Sequence, residues 1–334
     1  MNNKFNIVIP SIKLSDELKF TLSKLNTLNN KNFFVTIVLN KKNFKKKLKF
    51  NFPLKIIITN KINMSAKRNL GVKRYFSKYI AFLDSDAYPN KDWLKNAEYL
   101  IKKKVANVVG GPSIPFENQS YFEMIAYHSK RSFFLTGNLN FRKYKSKSRY
   151  CDWLESCNFF ITRKDYLKYG GMNEEIFLGE DKNFFEKCIK KNKNFKTFFS
   201  PDLFIYHKER SYIKFLLQRF SFGLDVINIM NFQNKINSYL PLLPFFVLFG
   251  FLSFLIIEYH LYNSLHLAIY SFLTIQAIIV ISLLKYLNRI DKIFFTLLTI
   301  NLANIFYALG SLLKFIKIEK YFQKNIYRLS RSND

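Results

Sequence analysis

The chain has 334 residues, enough for a full domain and a further region. Its 53 Lys and Arg stand against 23 Asp and Glu, a formal net charge of +30, which suits an anionic partner such as a membrane surface or a phosphorylated ligand. No paired Cys/His zinc spacing and no basic region followed by heptads accompanies that charge, so nucleic acid is not the expected partner. Cys151, Cys157 and Cys188, without a C-x-x-C spacing, make neither a disulfide framework nor a zinc site and fit a reducing compartment.

The opening "MNNKFNIVIP" runs almost at once into a strand and lacks the apolar core and cleavage site of a secretory signal. Phe5 to Pro10, Phe33 to Asn40, Leu54 to Asn60 and Tyr79 to Asp84 read as buried strands. Between them, Ser15 to Leu28 sets Leu18, Leu22 and Leu25 on one helical face, and Ser65 to Ser77 reads as a helix with Ser65 as its N-cap. The Lys-rich "NKKNFKKKLKF" (Asn40 to Phe50) reads as a solvated loop. Strands alternating with helices predict an α/β fold, a mostly parallel sheet with helices on both faces. Ligands of such sheets bind at the carboxyl ends of the strands.

The fourth strand ends in "FLDSD". On a continuing strand Asp84 and Asp86 share one side, where like charges repel unless a cation or a hydroxyl-rich ligand lies beside them. The alternative is an ordinary polar turn ahead of Pro89. Further on, Glu155 to Cys188 reads as a strand, a short helix, a Gly-Gly turn and a helix opened by Gly179-Glu180-Asp181, where acids are ordinary partners of the helix dipole. His207 closes the apolar run of "FIYH", and "LLQRFSFG" (Leu216 to Gly223) reads as an amphipathic helix.

After Tyr239 the composition changes. Leu240 to Ile257, Leu265 to Leu284 and Ile293 to Leu313 are three apolar runs, each near the about 20 residues that cross a bilayer. Asn301 and Asn304 are expected to face protein rather than lipid. The basic connection Lys285 to Lys292 and the basic N-terminal domain are expected on the cytoplasmic side. Three full crossings then leave the basic tail outside, against the same rule, so the number of crossings stays open.

Taken in order, "IVIP", "AKRNLG", "FLDSD" and "CNFFITRKDYLKYGGMNEEIFLGED" resemble the elements of the inverting family-2 glycosyltransferases, over about the first 225 residues. The resemblance implies a GT-A fold and a nucleotide-sugar donor, with Pro10, Arg68 and Asn69 on the donor side. It implies that Asp84 and Asp86, with His207 as a further ligand, hold Mg²⁺ or Mn²⁺ against the donor diphosphate. Asp181 matches the catalytic base, and Cys157, Asn158, Glu180, Gln218 and Arg219 lie on the acceptor side. Processive polysaccharide synthases carry Q-x-x-R-W, but Ser221 and Phe222 occupy the Arg and Trp places here.

The expected organisation is a transferase domain over 1–225, an interfacial connection over 226–238, a membrane region over 239–316 and a basic tail over 317–334. The expected activity is transfer to a lipid-linked or membrane-proximal acceptor in cell-surface glycan synthesis, at the inner membrane with the catalytic domain on the cytoplasmic face. A processive synthase and a membrane-anchored scaffold without activity are the alternatives. The scaffold has no use for Asp84, Asp86 and Asp181.

Overall fold

Phe5–Pro10 (β1) is buried along its whole length, and so are Phe33–Leu39 (β2) and Tyr79–Leu83 (β4). Continuous apolar runs of this kind suit strands covered on both faces; each large side chain so buried contributes about 1.5–3 kcal/mol. The computed structural model describes residues 4–40, 50–176, 178–230 and 236–318. The run of lysines over 41–49, part of the 226–238 connection and nearly all of the 317–334 tail lie outside the described residues.

The remaining strands are Leu54–Ile58 (β3), Ala87–Pro89 (β5), Val108–Gly110 (β6), Ser113–Pro115 (β7), Arg149–Tyr150 (β8), Asn158–Thr162 (β9), Thr197–Phe199 (β10) and Ile205–His207 (β11). Eight form one sheet in the order β3-β2-β1-β4-β9-β6-β10-β8. The first four are mutually parallel, and β6 and β10 run the same way. β9 and β8 run against them, so the sheet is mostly parallel, as expected, but not wholly so. A small second sheet, β5-β11-β7, pairs β11 antiparallel with β5.

Several element bounds differ from the sequence reading by one to three residues, and two of the differences bear on the site. The Met64–Arg74 helix is capped by Asn63, whose Oδ1 accepts from the amides of Ser65 and Ala66 at 2.7 and 3.3 Å; Ser65 lies inside the helix. Asn caps as well as Ser does, and here it sits two residues earlier. β4 also stops at Leu83, and the chain turns through Ser85-Asp86 before β5. The two aspartates therefore meet through a turn and not through strand alternation.

The chain divides into two compact units, Met1–Glu117 with Phe141–Lys208, and Asn118–Asn140 with Glu209–Asp334. All the strands belong to the first. Among the described residues of the second, three helices are long and apolar enough to cross a membrane: Tyr239–Tyr262, His266–Leu284 and Ile290–Phe315. The Tyr212–Leu224 helix crosses the last of these where Gly223 meets Gly310. A Cβ on Gly223 would fall 2.1 Å from the Tyr307 carbonyl oxygen, and one on Gly310 would fall 2.2 Å from that of Phe220.

Polar groups on the apolar helices find partners inside this unit. Asn301 Nδ2 donates to Gln276 Oε1 at 2.8 Å, and Asn304 Nδ2 to the Phe134 carbonyl at 3.1 Å. Both carboxylate oxygens of Glu258 accept amides at the start of the His266–Leu284 helix, from Leu267 and Ala268, each at 2.7 Å.

Candidate active site

The turn after β4 places Asp84 and Asp86 at the carboxyl edge of the parallel strands, the edge that also holds Pro10 at the end of β1. His207 arrives by sheet pairing: on β11 it stands opposite Ala87 of β5, the residue after Asp86. The Lys208 amide donates to the Asp86 carbonyl at 2.9 Å and fixes that register. His207 Nδ1 donates to the Lys208 carbonyl at 2.8 Å, which turns Nε2 toward the two aspartates. Nε2 lies 3.6 Å from Asp86 Oδ1 and 3.9 Å from Asp84 Oδ2. Donor atoms of Asp84, His207 and Cys157 all fall within 4.8 Å of one another.

Arg68 joins this edge to a second acidic group. Its guanidinium is buried, donating through Nη2 to Asp84 Oδ1 at 2.7 Å and through Nη1 to Glu180 Oε1 at 3.3 Å. Burial opposes the Arg68 charge, but Asp84 and Glu180 outweigh it and raise its pKa further. Burial likewise opposes ionisation of Asp84, yet Arg68 and then His207 hold that carboxyl well below the usual carboxylate range.

Asp181 titrates the other way. Burial, then the neighbouring Glu180 charge, push its pKa up to about 7. Gly179, at φ +76°, turns the chain into the Glu180–Lys191 helix, and glycine adopts that left-handed conformation without steric cost. The helix start points Asp181 at the segment before β9. Oδ2 accepts from the Ser156 amide at 3.2 Å, and Oδ1 from the Lys182 amide at 2.8 Å.

Some expected site residues hold the site and have no spare polar atom. Asn69 Oδ1 accepts from the Tyr166 hydroxyl and the Met172 amide at 2.6 and 3.0 Å. Its Nδ2 donates to the Met172 carbonyl and to Glu174, so it braces the loop leading to Asp181. Asn158 is buried, accepts from the Trp93 indole at 2.9 Å and donates to the Gly111 and Leu203 carbonyls. Cys157 lies with Asp84 and His207, on what the sequence reading took as the donor side; burial raises its thiol pKa well above the ordinary value. Gln218 and Arg219 belong to the second unit. There Arg219 lies 5.0 Å from the Tyr307 ring and donates to the Leu135 carbonyl at 3.5 Å.

Two charged side chains here were not picked out from the sequence. The Glu155 carboxylate bonds Lys143 at 2.7 Å and the Ser113 hydroxyl at 2.9 Å. Burial raises the Glu155 pKa, but Lys143 and Arg142 bring it down to about 2. Lys143 sits in no periodic pattern, so only the folded chain brings it to Glu155.

A family model for glycosyl transferase family 2 matches residues 7–170. No curated protein matches the chain in sequence. Among solved structures, the mannosyltransferase PcManGT from Pyrobaculum calidifontis, in complex with GDP-Man and Mn²⁺, is similar over 92% of this chain and 87% of its own, at 12% identity and a TM-score of 0.59. TarS 1-349 from S. aureus, in complex with UDP-GlcNAc, aligns over 94% of this chain and 92% of its own, at 16% identity and a TM-score of 0.48. The longer S. aureus TarS chain aligns with 67% of this one, which spans 40% of its length, at 16% identity and a TM-score of 0.45. At 12% identity the likeness to PcManGT is one of fold alone.

Proposed function

We propose that this chain, which carries a glycosyl transferase family 2 domain over residues 7–170, moves a sugar from a nucleotide-sugar donor to an acceptor hydroxyl with inversion at the anomeric carbon. The observation that carries this reading is the pair of opposed carboxyls. Asp84 is held ionised beside Asp86 and His207, while Asp181 is pushed to about 7, where a general base works well near neutral pH. In the displacement, the acceptor oxygen forms a bond to the anomeric carbon as the bond to the diphosphate oxygen breaks. The nucleoside diphosphate leaves with the electron pair, and Asp181 takes the acceptor proton.

Asp84, Asp86 and His207 offer oxygen and imidazole donors, a set suited to Mg²⁺ or Mn²⁺. The Cys157 thiol is held protonated and is a poor ligand for such a hard cation. A divalent cation bound there offsets charge on the departing diphosphate. Arg68, between Asp84 and Glu180, keeps the metal-side and base-side acids in fixed relation.

The three apolar helices support action at a membrane, and we assign the acceptor as lipid-linked or membrane-proximal. Ser221 and Phe222, at the Arg and Trp places of processive synthases, favour transfer of one or a few sugars. The basic domain is assigned to the cytoplasmic face of the inner membrane. Cysteine placed at Asn288, in a background without the native cysteines, should resist impermeant labelling in intact cells; strong labelling would reverse the orientation. The reading as a whole is tested by screening the purified full chain with Mn²⁺ or Mg²⁺ against UDP-, GDP- and dTDP-sugars. Saturable nucleotide binding and transfer or hydrolysis of one donor is expected, and no binding to any of them would end it.

A further inference from the structure

The last apolar helix differs from the two before it in what surrounds it. Only 6% and 17% of the apolar stretches in Tyr239–Tyr262 and His266–Leu284 are buried within the protein, against 39% in Ile290–Phe315. The first two form a hairpin. Phe251 lies against Phe272, ring centres 5.9 Å apart, and Glu258 accepts the Leu267 and Ala268 amides, so the pair is antiparallel. The second arm has 19 residues; at about 1.5 Å each it is about 28 Å long, close to the ~30 Å of a bilayer's hydrocarbon core.

Ile290–Phe315 is not a third arm beside these two. Asn301 bonds Gln276 of the second arm. Phe315, fourteen residues on, lies against Phe245 near the start of the first arm, ring centres 5.1 Å apart. Phe245 is six residues before Phe251, and so level with Ile278, six beyond Phe272. Asn301 and Phe315 are about 21 Å apart along their own helix, yet they meet the hairpin at depths about 3 Å apart. A third arm antiparallel to the second would bring Phe315 level with Tyr262, at the far end. Leu242, just before the first arm, also shares a buried cluster with Tyr307. The last helix therefore runs across the base of the hairpin and ends on the side where it began.

Two further segments accompany this helix in the same direction. The Tyr121 hydroxyl donates to Asp291 at 2.7 Å, and the Phe134 carbonyl accepts from Asn304. Tyr212 and Thr299 share a hydrogen bond of 3.0 Å, and Gly223 meets Gly310. Were Ile290–Phe315 to cross the bilayer, Lys130 and Arg131, between the first two contacts, would be carried into hydrocarbon with it. So would Arg219, between the last two, and charge there is costly. Thr299, Ala303, Tyr307 and Gly310 are buried on one side of the helix. Phe294, Leu298, Ile305 and Leu309 form an exposed apolar stripe on the other. A stripe of this kind suits the boundary between headgroups and acyl chains.

We propose that only the hairpin crosses the membrane and that Ile290–Phe315 lies along one leaflet, with its exposed stripe seated among the upper acyl chains. The basic N-terminal domain, the Lys285 to Lys292 connection and the chain after Phe315, which has five Lys or Arg against two Asp or Glu, then lie on one side. Glu258 to Ser264, without Lys or Arg, lies on the other. Two crossings thus satisfy the charge rule that three would violate. This inference rests on the membrane reading given above and not on the transfer chemistry.

The test is sidedness, read on the full chain in a background without the native cysteines. Single cysteines replace Ser264, Asn288 and Ser332 and meet an impermeant maleimide before and after the cells are permeabilised. Ser264→Cys should label in intact cells, and Asn288→Cys and Ser332→Cys only after permeabilisation. Labelling of Ser332→Cys together with Ser264→Cys, while Asn288→Cys stays protected, means three crossings and overturns the proposal. Labelling of Asn288→Cys and Ser332→Cys with Ser264→Cys protected upholds it and reverses only the cytoplasmic assignment. Protection of all three until permeabilisation would remove the crossing of the hairpin, and with it both this inference and the membrane reading beneath it. Depth in proteoliposomes gives a second measurement. A bimane attached through cysteine at Phe294, Leu298, Ile305 or Leu309 should be quenched more by lipids carrying the quencher near the ester carbonyls than by lipids carrying it at the bilayer centre, at all four positions. Stronger quenching from the centre at Leu298 and Ile305, which flank the midpoint of the helix, would overturn the proposal.

Discussion

The turn after β4 and the first turn of the Glu180–Lys191 helix both offer a carboxylate to the same guanidinium, yet they settle the charge of their key aspartate in opposite ways. Asp84 touches Arg68 directly and has His207 near, so burial is outweighed and it stays ionised. Asp181 is one residue removed from the Arg68 contact. Glu180 takes that contact, and Asp181 is left with burial and a negative neighbour. Direct contact with Arg68, or its loss one position along a helix start, separates a carboxyl held ionised from one whose pKa is raised to about 7. Environments that drive two acids apart in this manner mark a division of roles.

The strongest way to break this comparison is Asp181→Asn. Asparagine keeps the shape and one accepting oxygen but cannot take a proton. Turnover should fall by about 10²- to 10⁴-fold, the range of positioned proton transfer, with nucleotide-sugar affinity nearly unchanged. Steady-state kinetics with a competent donor and acceptor decide it. Near-normal turnover would move the base elsewhere, with Glu180 the next residue to replace.

The opposite side is broken by Asp86→Ala. Calorimetry of nucleoside diphosphate with Mn²⁺ should lose about 100-fold or more in affinity, since outer-sphere partners of a metal already cost 10- to 100-fold. The fold should persist because Asp86 lies in a turn outside the core. Cys157→Ala sharpens the same point. A thiol held protonated contributes little to binding a hard cation, so metal-dependent affinity should stay near that of the parent. A large loss in Cys157→Ala would place the sulfur among the ligands.

A smaller effect separates the two acids by pH. If Asp181 must be unprotonated, turnover should rise about tenfold per pH unit below about 7 and level off above it. Asp84, held well below the carboxylate range, should add no limb between pH 5 and 9. A rate independent of pH from 5.5 to 8.5, measured at saturating substrates, would remove Asp181 from proton transfer.

How much of this could be read from the sequence depends on the distance over which each feature is fixed. β1 was legible to its last residue because an apolar run ending in proline is a local signal. The acids at Asp84, Asp86 and Asp181 were legible because each lies within a short recurring pattern. The meeting of His207 with Asp86 was expected through the family resemblance alone, since no local pattern signals β11 pairing with β5 across most of the domain. Nor could the sequence tell that the Asn158 amide would be taken up by Trp93 and two carbonyls, or that Lys143 would find Glu155. The cap of the Met64–Arg74 helix was misplaced because Asn63 and Ser65 are both good caps, and only the backbone distinguishes them.

The smallest effect concerns stability and separates a base from a helix cap. Unfolded Asp181 loses its proton near the ordinary carboxylate value of 3.8, while in the folded chain it holds that proton up to about 7. Between those values the folded state binds more protons, so the native carboxyl lowers stability progressively as pH rises, and the penalty is full above about 7. Asp181→Asn removes the charge and with it the penalty. Followed by thermal unfolding through buried Trp93, the variant should be more stable than the parent at pH 8. Its advantage should grow between about pH 4 and 7 and then stay constant. Were Asp181 only a partner of the helix dipole, the carboxylate would stabilise by about 0.3–1 kcal/mol, and the variant would be the less stable protein at neutral pH. The sign of one difference in melting temperature at pH 8 therefore distinguishes a strained acid kept for chemistry from an acid kept for the helix.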